Sequence, residues 1–260
     1  MGWTVQSSFG SRITLGATVS RQPGRATALF DKSVIIFDGR TETWVLNAMY
    51  TGIGDLWGCF GPLPRESRCK PTTRSLVERL DQSAGIPSFD EFRGGENSIY
   101  FRSRQTDIYN LEIMRTMGDI QQWKRRNGFR DITEKENAVF HYYFDREMNF
   151  FGALLSYGYP SEGDTVSVWT QPVQVTFHSD RIRFPLRSGT TGDGTHSFLS
   201  FDLLTSNGWP DVPAKFNVKF EGQFELGHQL YNHVRVEARL TFDQMEDDFD
   251  AQIRTSSIMP

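Results

Sequence analysis

Alternation of apolar and polar residues with a period of two dominates this chain. Such alternation predicts β-strands with one buried and one solvated face. Two of these segments, 34–37 and 43–50, flank Asp38-Gly39, and Asp-Gly between apolar runs is a strong hairpin signal. Further strands are predicted at 12–19, 56–60, 98–102, 108–114, 150–157, 165–169, 173–177, 181–186, 197–204, 216–226 and 234–242.

Helical periodicity is confined to three short segments. Thr72 or Thr73 is predicted to cap the first helix, and Gly85 to stop it. Thr133 followed by Glu136 has the spacing of a capping box and predicts the start of the third. The expected helix ranges are 73–82, 119–126 and 134–147. Gly118-Asp119 is expected to begin the second helix. The predicted fold class is therefore α+β, with mainly antiparallel, sandwich-like β-sheets and about three short helices in the first 150 residues.

A proline-rich stretch at 209–213 interrupts the strand pattern. Each proline lacks a backbone donor, so this stretch is predicted to lie outside a sheet and is a candidate linker. The expected organisation is a mixed α+β domain over 1–208, followed over 209–260 by a β-hairpin and an acidic tail. Residues 246–250 are rich in acid and are expected to be solvated. Whether the last part belongs to the same domain is left open.

Composition narrows the partners of the chain. Hydrophobic residues make up 38% and aromatic residues 13%, which is typical of a folded protein. A net charge of −4 offers no basic footprint, so nucleic acid is disfavoured as a partner. No secretory signal and no run of about 18 apolar residues is visible. We expect a cytoplasmic protein or one with peripheral membrane contact, the alternative being an exported protein whose leader is missing from this sequence.

Two cysteines, Cys59 and Cys69, are separated by nine residues. They are a candidate disulfide if the compartment is oxidising, because a loop of this length can close. The alternative is a pair of free, partly buried thiols. A catalytic alternative pairs Cys59 with a distant histidine, His141, as nucleophile and base.

The histidines do not have the i, i+4 or i, i+2 spacing of common metal sites. His228 and His233 are five apart and are expected to be solvated in a turn, His178 to end a strand, and His196 to lie in a Gly-rich loop. Gly-x-Ser-x-Gly and phosphate-binding glycine motifs are absent from the sequence. No catalytic, cofactor-binding or metal-binding residue is predicted.

Four tryptophans are the candidate interface residues. Trp57, Trp123, Trp169 and Trp209 are interpreted as core or edge anchors, and those that are exposed would mark a protein interface.

The order of several segments resembles the bacterial family catalogued as domain of unknown function 2330. The resemblance covers most of residues 30–205 and is carried by 34–39, 42–50, Trp57, 61–64, 75–80, 123–129, 142–144, 171–177, 179–182 and 184–187. It implies an exported or membrane-associated protein of unassigned activity, with no catalytic residues to carry over. This chain departs from the pattern by lacking the leader and the cysteine-rich start of the mature region.

Abundant aromatic residues without a reactive constellation favour a non-catalytic interaction module. We expect an extrinsic accessory subunit that binds protein partners and stabilises a larger assembly. A membrane-bound assembly is one form that this expectation covers. The alternatives are a hydrolase with an unrecognised site and a small-ligand or carbohydrate-binding protein that uses exposed aromatic rings.

Overall fold

The computed structural model describes residues 4–6, 26–52, 56–85, 104–156, 166–188 and 196–254. The predicted strands at 12–19 and 98–102 lie outside these ranges. The strands are β1 Thr4–Gln6, β2 Ala26–Phe37, β3 Thr41–Leu46, β4 Ala48–Gly52, β5 Leu56–Pro64, β6 Arg68–Pro71, β7 Arg104–Met114, β8 Met148–Ser156, β9 Val166–Thr170, β10 Val173–His178, β11 Ile182–Phe184, β12 His196–Thr205, β13 Trp209–Pro210, β14 Asn217–Leu226, β15 Gln229–Thr241, β16 Phe249–Ala251 and β17 Ile253–Arg254. The helices are α1 Ser75–Ser83, α2 Met117–Arg126, α3 Glu134–Phe144 and a short 3₁₀ turn, Asp243–Met245.

One large sheet contains most of the strands. Its main path runs β1-β5-β8-β7-β9-β4-β2-β12-β15-β14, and it branches at β2, because the first half of β2 pairs with β4 and the second half with β3. The β3 branch continues through β10 to β6. Most neighbours are antiparallel, whereas β2 with β12 and β7 with β9 are parallel. The predicted α+β class with mainly antiparallel, sandwich-like sheets is confirmed.

The largest group of buried apolar side chains connects the two branches. It joins Cys59 and Phe151 of β5 and β8 to Ile35, Trp44 and Phe201 of β2, β3 and β12. Each large apolar side chain buried in this way contributes about 1.5–3 kcal/mol. This core holds the branches against each other as two layers.

Helices α2 and α3 cover the outer side of β5 and β8. Trp123 stacks on Phe129 at 5.3 Å, and Phe60 meets Trp123 edge to face at 4.9 Å. Gly58 of β5 leaves room for the Phe129 ring, since a Cβ at this position would lie 2.7 Å from Cζ of Phe129. Among the described helices, none is both long enough and apolar enough to cross a bilayer.

Two of the three helices start at a different residue from the one predicted. Arg74 is the N-cap of α1 and makes no side-chain cap, while the Thr73 hydroxyl hydrogen-bonds the Ser75 hydroxyl instead. The predicted cap at Thr72 or Thr73 is therefore wrong. Thr133 and Glu136 do form the predicted capping box of α3. Helix α2 begins at Met117, whereas the sequence predicts a start at Asp119. A second capping box, formed by Thr116 and Asp119, caps it.

Three strand predictions need correction. The segment 43–50 is two strands, because the fully buried Asn47 separates β3 from β4. Strand β5 runs on through Pro64 instead of ending at 60, and prolines are tolerated there because β1 opposes only residues 58–60 among those described. Trp209-Pro210, expected outside a sheet, pairs with β17 in a two-stranded ribbon.

The C-terminal residues are integrated into the same architecture. Strand β15 lies between β12 and β14, so residues on both sides of position 208 share one sheet. Strand β16 pairs with β11, and its Phe249 is fully buried in the main core. The expectation of a solvated acidic tail is therefore wrong at Phe249 and at its neighbour Asp248, whose carboxylate accepts hydrogen bonds from three groups.

Candidate functional site

A groove of about 760 Å³ lies at one end of the core. Its walls are the turn after α3, the connection between β10 and β11, and the segment that leads into β16. It is lined by Trp44, Pro64, Tyr142, Arg146, Glu147, Met148, Phe177, His178, Ser179, Asp180, Arg181, Arg183, Phe184, Pro185, Asp247, Asp248, Phe249 and Asp250. The lining therefore combines charged side chains, most of them exposed, with aromatic rings that are buried except for the partly exposed Tyr142.

A stacked arginine–tyrosine arrangement forms one wall of the groove. The guanidinium of Arg146, a lining residue, is 3.6 Å from the Tyr142 ring centroid, and that of Arg187, which is not among the lining residues, is 4.3 Å from it. Arg146 also donates to the Tyr142 carbonyl oxygen at 3.0 Å. Cation–π contacts of this kind order both the ring and the arginine. Burial raises the pKa of the Tyr142 hydroxyl, which therefore stays protonated at neutral pH.

Exposed ion pairs also line the groove. Asp180 pairs with Arg181 at 3.3 Å and with Arg183 at 3.0 Å, and Arg181 also reaches Asp250 at 3.3 Å. The Asp180 side chain is 71% exposed, so water and salt screen these pairs and a partner can replace them at small cost. Five acidic side chains and three arginines line the groove as a whole. The lining thus has an excess of negative groups.

Asp248 fixes the segment that forms the groove floor. Its Oδ1 accepts hydrogen bonds from the Tyr143 hydroxyl at 2.7 Å and from the backbone N–H groups of Leu186 and Arg187 at 2.9 and 3.3 Å. Burial raises the pKa of the Asp248 carboxyl, although these hydrogen bonds oppose the rise. Helix α3, the residues after β11 and the C-terminal segment are therefore joined at one carboxylate.

Glu42 supports the groove from beneath. It is fully buried, and its carboxylate accepts from Trp44 Nε1 at 2.7 Å and from the Arg183 backbone N–H at 3.0 and 3.2 Å. Burial raises the pKa of Glu42 to about 8 despite these donors. The carboxyl is consequently largely protonated at neutral pH. It positions the Arg183 backbone and the Trp44 ring, both of which line the groove.

The groove rim contains one backbone position of unusual geometry. Glu147, in the turn between α3 and β8, has φ = +59°, which lies in the left-handed region that non-glycine residues seldom adopt. Its side chain is 81% exposed and forms a long ion pair, 3.6 Å, with Arg65. Residues held in such conformations concentrate at binding and switch sites.

A second group of titratable side chains is buried away from the groove. Asp202 Oδ1 lies 2.7 Å from His233 Nε2 and 2.7 Å from Arg235 Nε, and Oδ2 lies 2.7 Å from Arg235 Nη2. Arg235 also meets Asp81 of α1 at 3.0 Å, and Lys32 pairs with the same carboxylate. Burial alone would raise the pKa of Asp202, but the bonds from His233 and Arg235 lower it. The network ties α1 to the sheet.

His233 is not the solvated turn residue that the sequence predicts. Its ring is completely buried, with the Phe220 ring 4.9 Å away and the Phe224 ring 6.1 Å away. Its Nδ1 has no hydrogen-bond partner within the described ranges. Neighbouring His228 is exposed in the hairpin turn, and His178 is exposed at the end of β10, as predicted.

The candidate nucleophile and base lie in different environments. Cys59 is fully buried, and its thiol donates to the Ala153 carbonyl oxygen at 3.5 Å, whereas His141 is on the exposed face of α3. Cys59 and Cys69 are both free thiols. Burial raises the pKa of both, that of Cys69 to about 12, so both are protonated at neutral pH. In the part of the chain that the structure describes, no cluster of three His, Cys, Asp or Glu could hold a metal ion.

Of the four candidate interface tryptophans, two have described side chains. Trp123 is 2% exposed, which leaves no area for a partner, and Trp209 is partly buried against the main core. Strands β5 and β9 contain Trp57 and Trp169, whose side chains, like that of His196, fall outside the described set. The aromatic residues of the groove, Trp44 and Tyr142 among them, were missed because nothing local distinguishes them from core residues.

Comparison with known proteins adds little to this geometry. No protein-family model matches the chain, and no curated protein sequence matches it. Among solved structures, the crystal structure of baculovirus P35 aligns with 85% of this chain and 96% of its own, at 9% sequence identity and a TM-score of 0.35. A TM-score this low gives the likeness no weight for fold or function.

Proposed function

We propose that this chain is a non-catalytic interaction module that binds a protein partner through the groove. The observation that carries the proposal is the groove lining, which combines the stack of Arg146 on Tyr142 with the exposed, exchangeable ion pairs of Asp180. Tyrosine and arginine are the residue types enriched at protein interfaces, because each combines apolar area with a directional polar group. An accessory subunit of a larger assembly remains the expected setting.

The state of the reactive groups supports a role in binding. The thiols of Cys59 and Cys69 are protonated, both oxygens of Asp202 are taken by His233 and Arg235, and Glu42 is engaged by Trp44 and Arg183. Each of these groups has a role in stabilising the fold. The ion pairs of Asp180, Arg181 and Asp250 in the groove are instead exposed and weak, which suits exchange with a partner's side chains.

The charge of the lining specifies the partner's chemistry. The five acidic side chains outnumber the three arginines of the lining, which favours a segment with net positive charge bound beside Asp247 and Asp250. Complementary charge of this kind increases the association rate and excludes acidic competitors. Binding is therefore expected to weaken as the salt concentration rises.

Site-specific photo-cross-linking tests the proposal with the full chain in extract from its source. A photoreactive residue at the groove position His178 is expected to capture one protein, and unlabelled chain should compete for it. The same residue at Gln121, exposed on α2, is the control. Equal capture from both positions, or none from His178, would contradict the proposal. Saturable binding of a small neutral ligand without capture would favour the small-ligand alternative.

Charge reversal then measures the groove's contribution. Asp247→Lys places a positive charge in the lining, whereas Glu246→Lys makes the same change at an exposed neighbour outside it. We expect Asp247→Lys to weaken binding of the captured partner by roughly tenfold or more, because juxtaposed like charges repel. Glu246→Lys should bind as the wild type does. An equal loss of partner affinity in both variants would indicate that only the net charge of the chain matters, and would reject the groove as the binding site.

A further inference from the structure

Glu42 is a buried carboxyl whose hydrogen-bond donors belong to residues of the groove lining. Its oxygens accept from Trp44 Nε1 at 2.7 Å and from the Arg183 N–H at 3.0 and 3.2 Å. Trp44 and Arg183 line the groove, whereas Glu42 does not and has no exposed surface. Its charge therefore acts on the groove through these two neighbours and through the electric field that it creates there.

The connection between β10 and β11 is attached to β3 at two points. The Ser179 N–H donates to the Arg40 carbonyl oxygen at 2.9 Å, and the Arg183 N–H donates to Glu42. Between these points lies Asp180, whose exposed ion pairs line the groove. An ionised carboxylate accepts stronger hydrogen bonds than a neutral carboxyl does. Loss of the Glu42 proton therefore holds this connection more firmly.

The positive charge nearest in sequence to the Glu42 donors is already engaged. The Arg183 guanidinium lowers the pKa of Glu42, but it pairs with Asp180 at 3.0 Å and is 52% exposed. Burial outweighs this guanidinium and the hydrogen bonds from Trp44, Arg183 and Ser179, so the pKa of Glu42 rises to about 8. The groove thus lies over a carboxyl that changes charge within one pH step of neutrality.

Other charged groups on the elements packed around Glu42 do not share this behaviour. They are Asp38 and Arg40 in the turn before β3, His178 at the end of β10, Asp180 and Arg181 after it, Arg183 in β11 and Asp250 in β16. Aspartate and histidine side chains ordinarily titrate below about pH 7, and arginine above about pH 12. Burial raises the pKa of Tyr142, so its hydroxyl stays protonated as well.

We propose that Glu42 is a positioning residue through which the groove responds to pH, so that loss of its proton strengthens binding of a positively charged partner. A cationic segment in the groove stabilises ionised Glu42 relative to its neutral form. By linkage, a pH rise through the titration of Glu42 must then increase the affinity for that segment. The inference rests on the proposed function and adds regulation to the same groove.

Isothermal titration calorimetry with an acetylated and amidated peptide of four arginines tests the coupling, because arginine stays charged throughout. At low salt, the wild-type dissociation constant is expected to fall about threefold or more from about pH 7 to about pH 9, since one negative charge appears beneath the groove. Glu42→Gln keeps a neutral side chain of the same shape, so its dissociation constant should change less than about 1.5-fold. Asp247→Lys should weaken binding at both pH values, which identifies the groove as the peptide's site.

A second readout needs no variant of Glu42. In NMR spectra of the wild type, the Trp44 indole N–H and the Arg183 amide should shift together, with a midpoint near the Glu42 pKa of about 8. The peptide should lower this midpoint by roughly 0.5, because a threefold gain in affinity corresponds to that change. A midpoint that the peptide does not move would overturn the inference even if Glu42→Gln fails to fold.

The other outcomes separate this inference from the proposed function. Equal pH dependence in wild type and Glu42→Gln would overturn the role of Glu42. So would a peptide that does not bind at about 1 mM, or one whose binding Asp247→Lys leaves intact. Capture of a protein at His178 would still support the groove as a protein-binding site in each case. Failure of that capture, with the pH response retained, would reject the protein partner alone.

Discussion

Replacing Asp202 by asparagine removes the central negative charge of the buried network. Arg235, 1% exposed, would lose the carboxylate that holds its Nε and Nη2 and would keep only Asp81, while His233 would lose its partner at Nε2. Breaking a buried ion pair from one side costs about 3–5 kcal/mol, because the remaining charge stays desolvated. We therefore expect Asp202→Asn to lower the free energy of unfolding by about 3–5 kcal/mol, or the melting temperature by roughly 6–20 °C.

Urea unfolding followed by tryptophan fluorescence and circular dichroism measures the effect. Asp211→Asn is the matched control, because Asp211 pairs with Arg254 while both side chains are more than half exposed. An exposed pair contributes less than about 1 kcal/mol. Equal costs for the two substitutions, or a cost below about 1 kcal/mol for Asp202→Asn, would refute the assigned role of the network.

The same variant has a pH signature. The pKa of Asp202 is lower in the folded chain than in the unfolded chain, so its contribution is complete above the unfolded pKa of about 3.9 and is lost as the pH falls. Wild type should therefore lose more stability between about pH 5 and pH 2 than Asp202→Asn does. Parallel acid-unfolding curves for the two proteins would contradict this assignment.

Five further substitutions, two of them controls, test three other features by urea unfolding. Because the folded pKa of Glu42 is about 8, above its unfolded value, wild type should lose stability from about pH 5 to pH 8 by a few kcal/mol relative to Glu42→Gln, and parallel pH profiles would contradict this. Gly58→Ala should cost about 1–3 kcal/mol through overlap with Phe129, whereas Gly118→Ala, with only an ordinary 3.6 Å contact, should cost nothing. Thr133→Ala should cost about 1 kcal/mol and Thr73→Ala less than about 0.5 kcal/mol; equal losses would argue against the cap assignments.

Local patterns were sufficient for features that depend on neighbours in sequence. The alternation around Asp38-Gly39 predicted the hairpin between β2 and β3, and Gly85, with φ = +64°, follows the end of α1. Thr133 and Glu136 are only three residues apart, so the capping box could be read directly. The break at Asn47 could not be predicted from local patterns. It arises because β3, before Asn47, pairs with β10, whereas β4, after it, pairs with β9.

The groove and the buried network depend on residues far apart in sequence. The bond from Tyr143 to Asp248 spans 105 positions, and that between His233 and Asp202 spans 31. From local composition, residues 246–250 are predicted to be a solvated tail and His233 a turn residue. No periodicity in the sequence indicates the pairing of Asp248 with Tyr143 or of His233 with Asp202. The same is true of Glu42, whose donors include the backbone N–H of Arg183, 141 positions away.

The parallel pairing of β2 with β12 affects the order in which the protein can fold during synthesis. Strand β2 leaves the ribosome before β12 and can form its hairpin with β3 at once, but Asp31 lies opposite Leu199, which is made much later. One edge of an apolar strand therefore lacks its partner until the residues between β2 and β12 have been translated. Because closing such a distant contact costs loop entropy, the central sheet is completed late and slowly, with β2 exposed to aggregation until then.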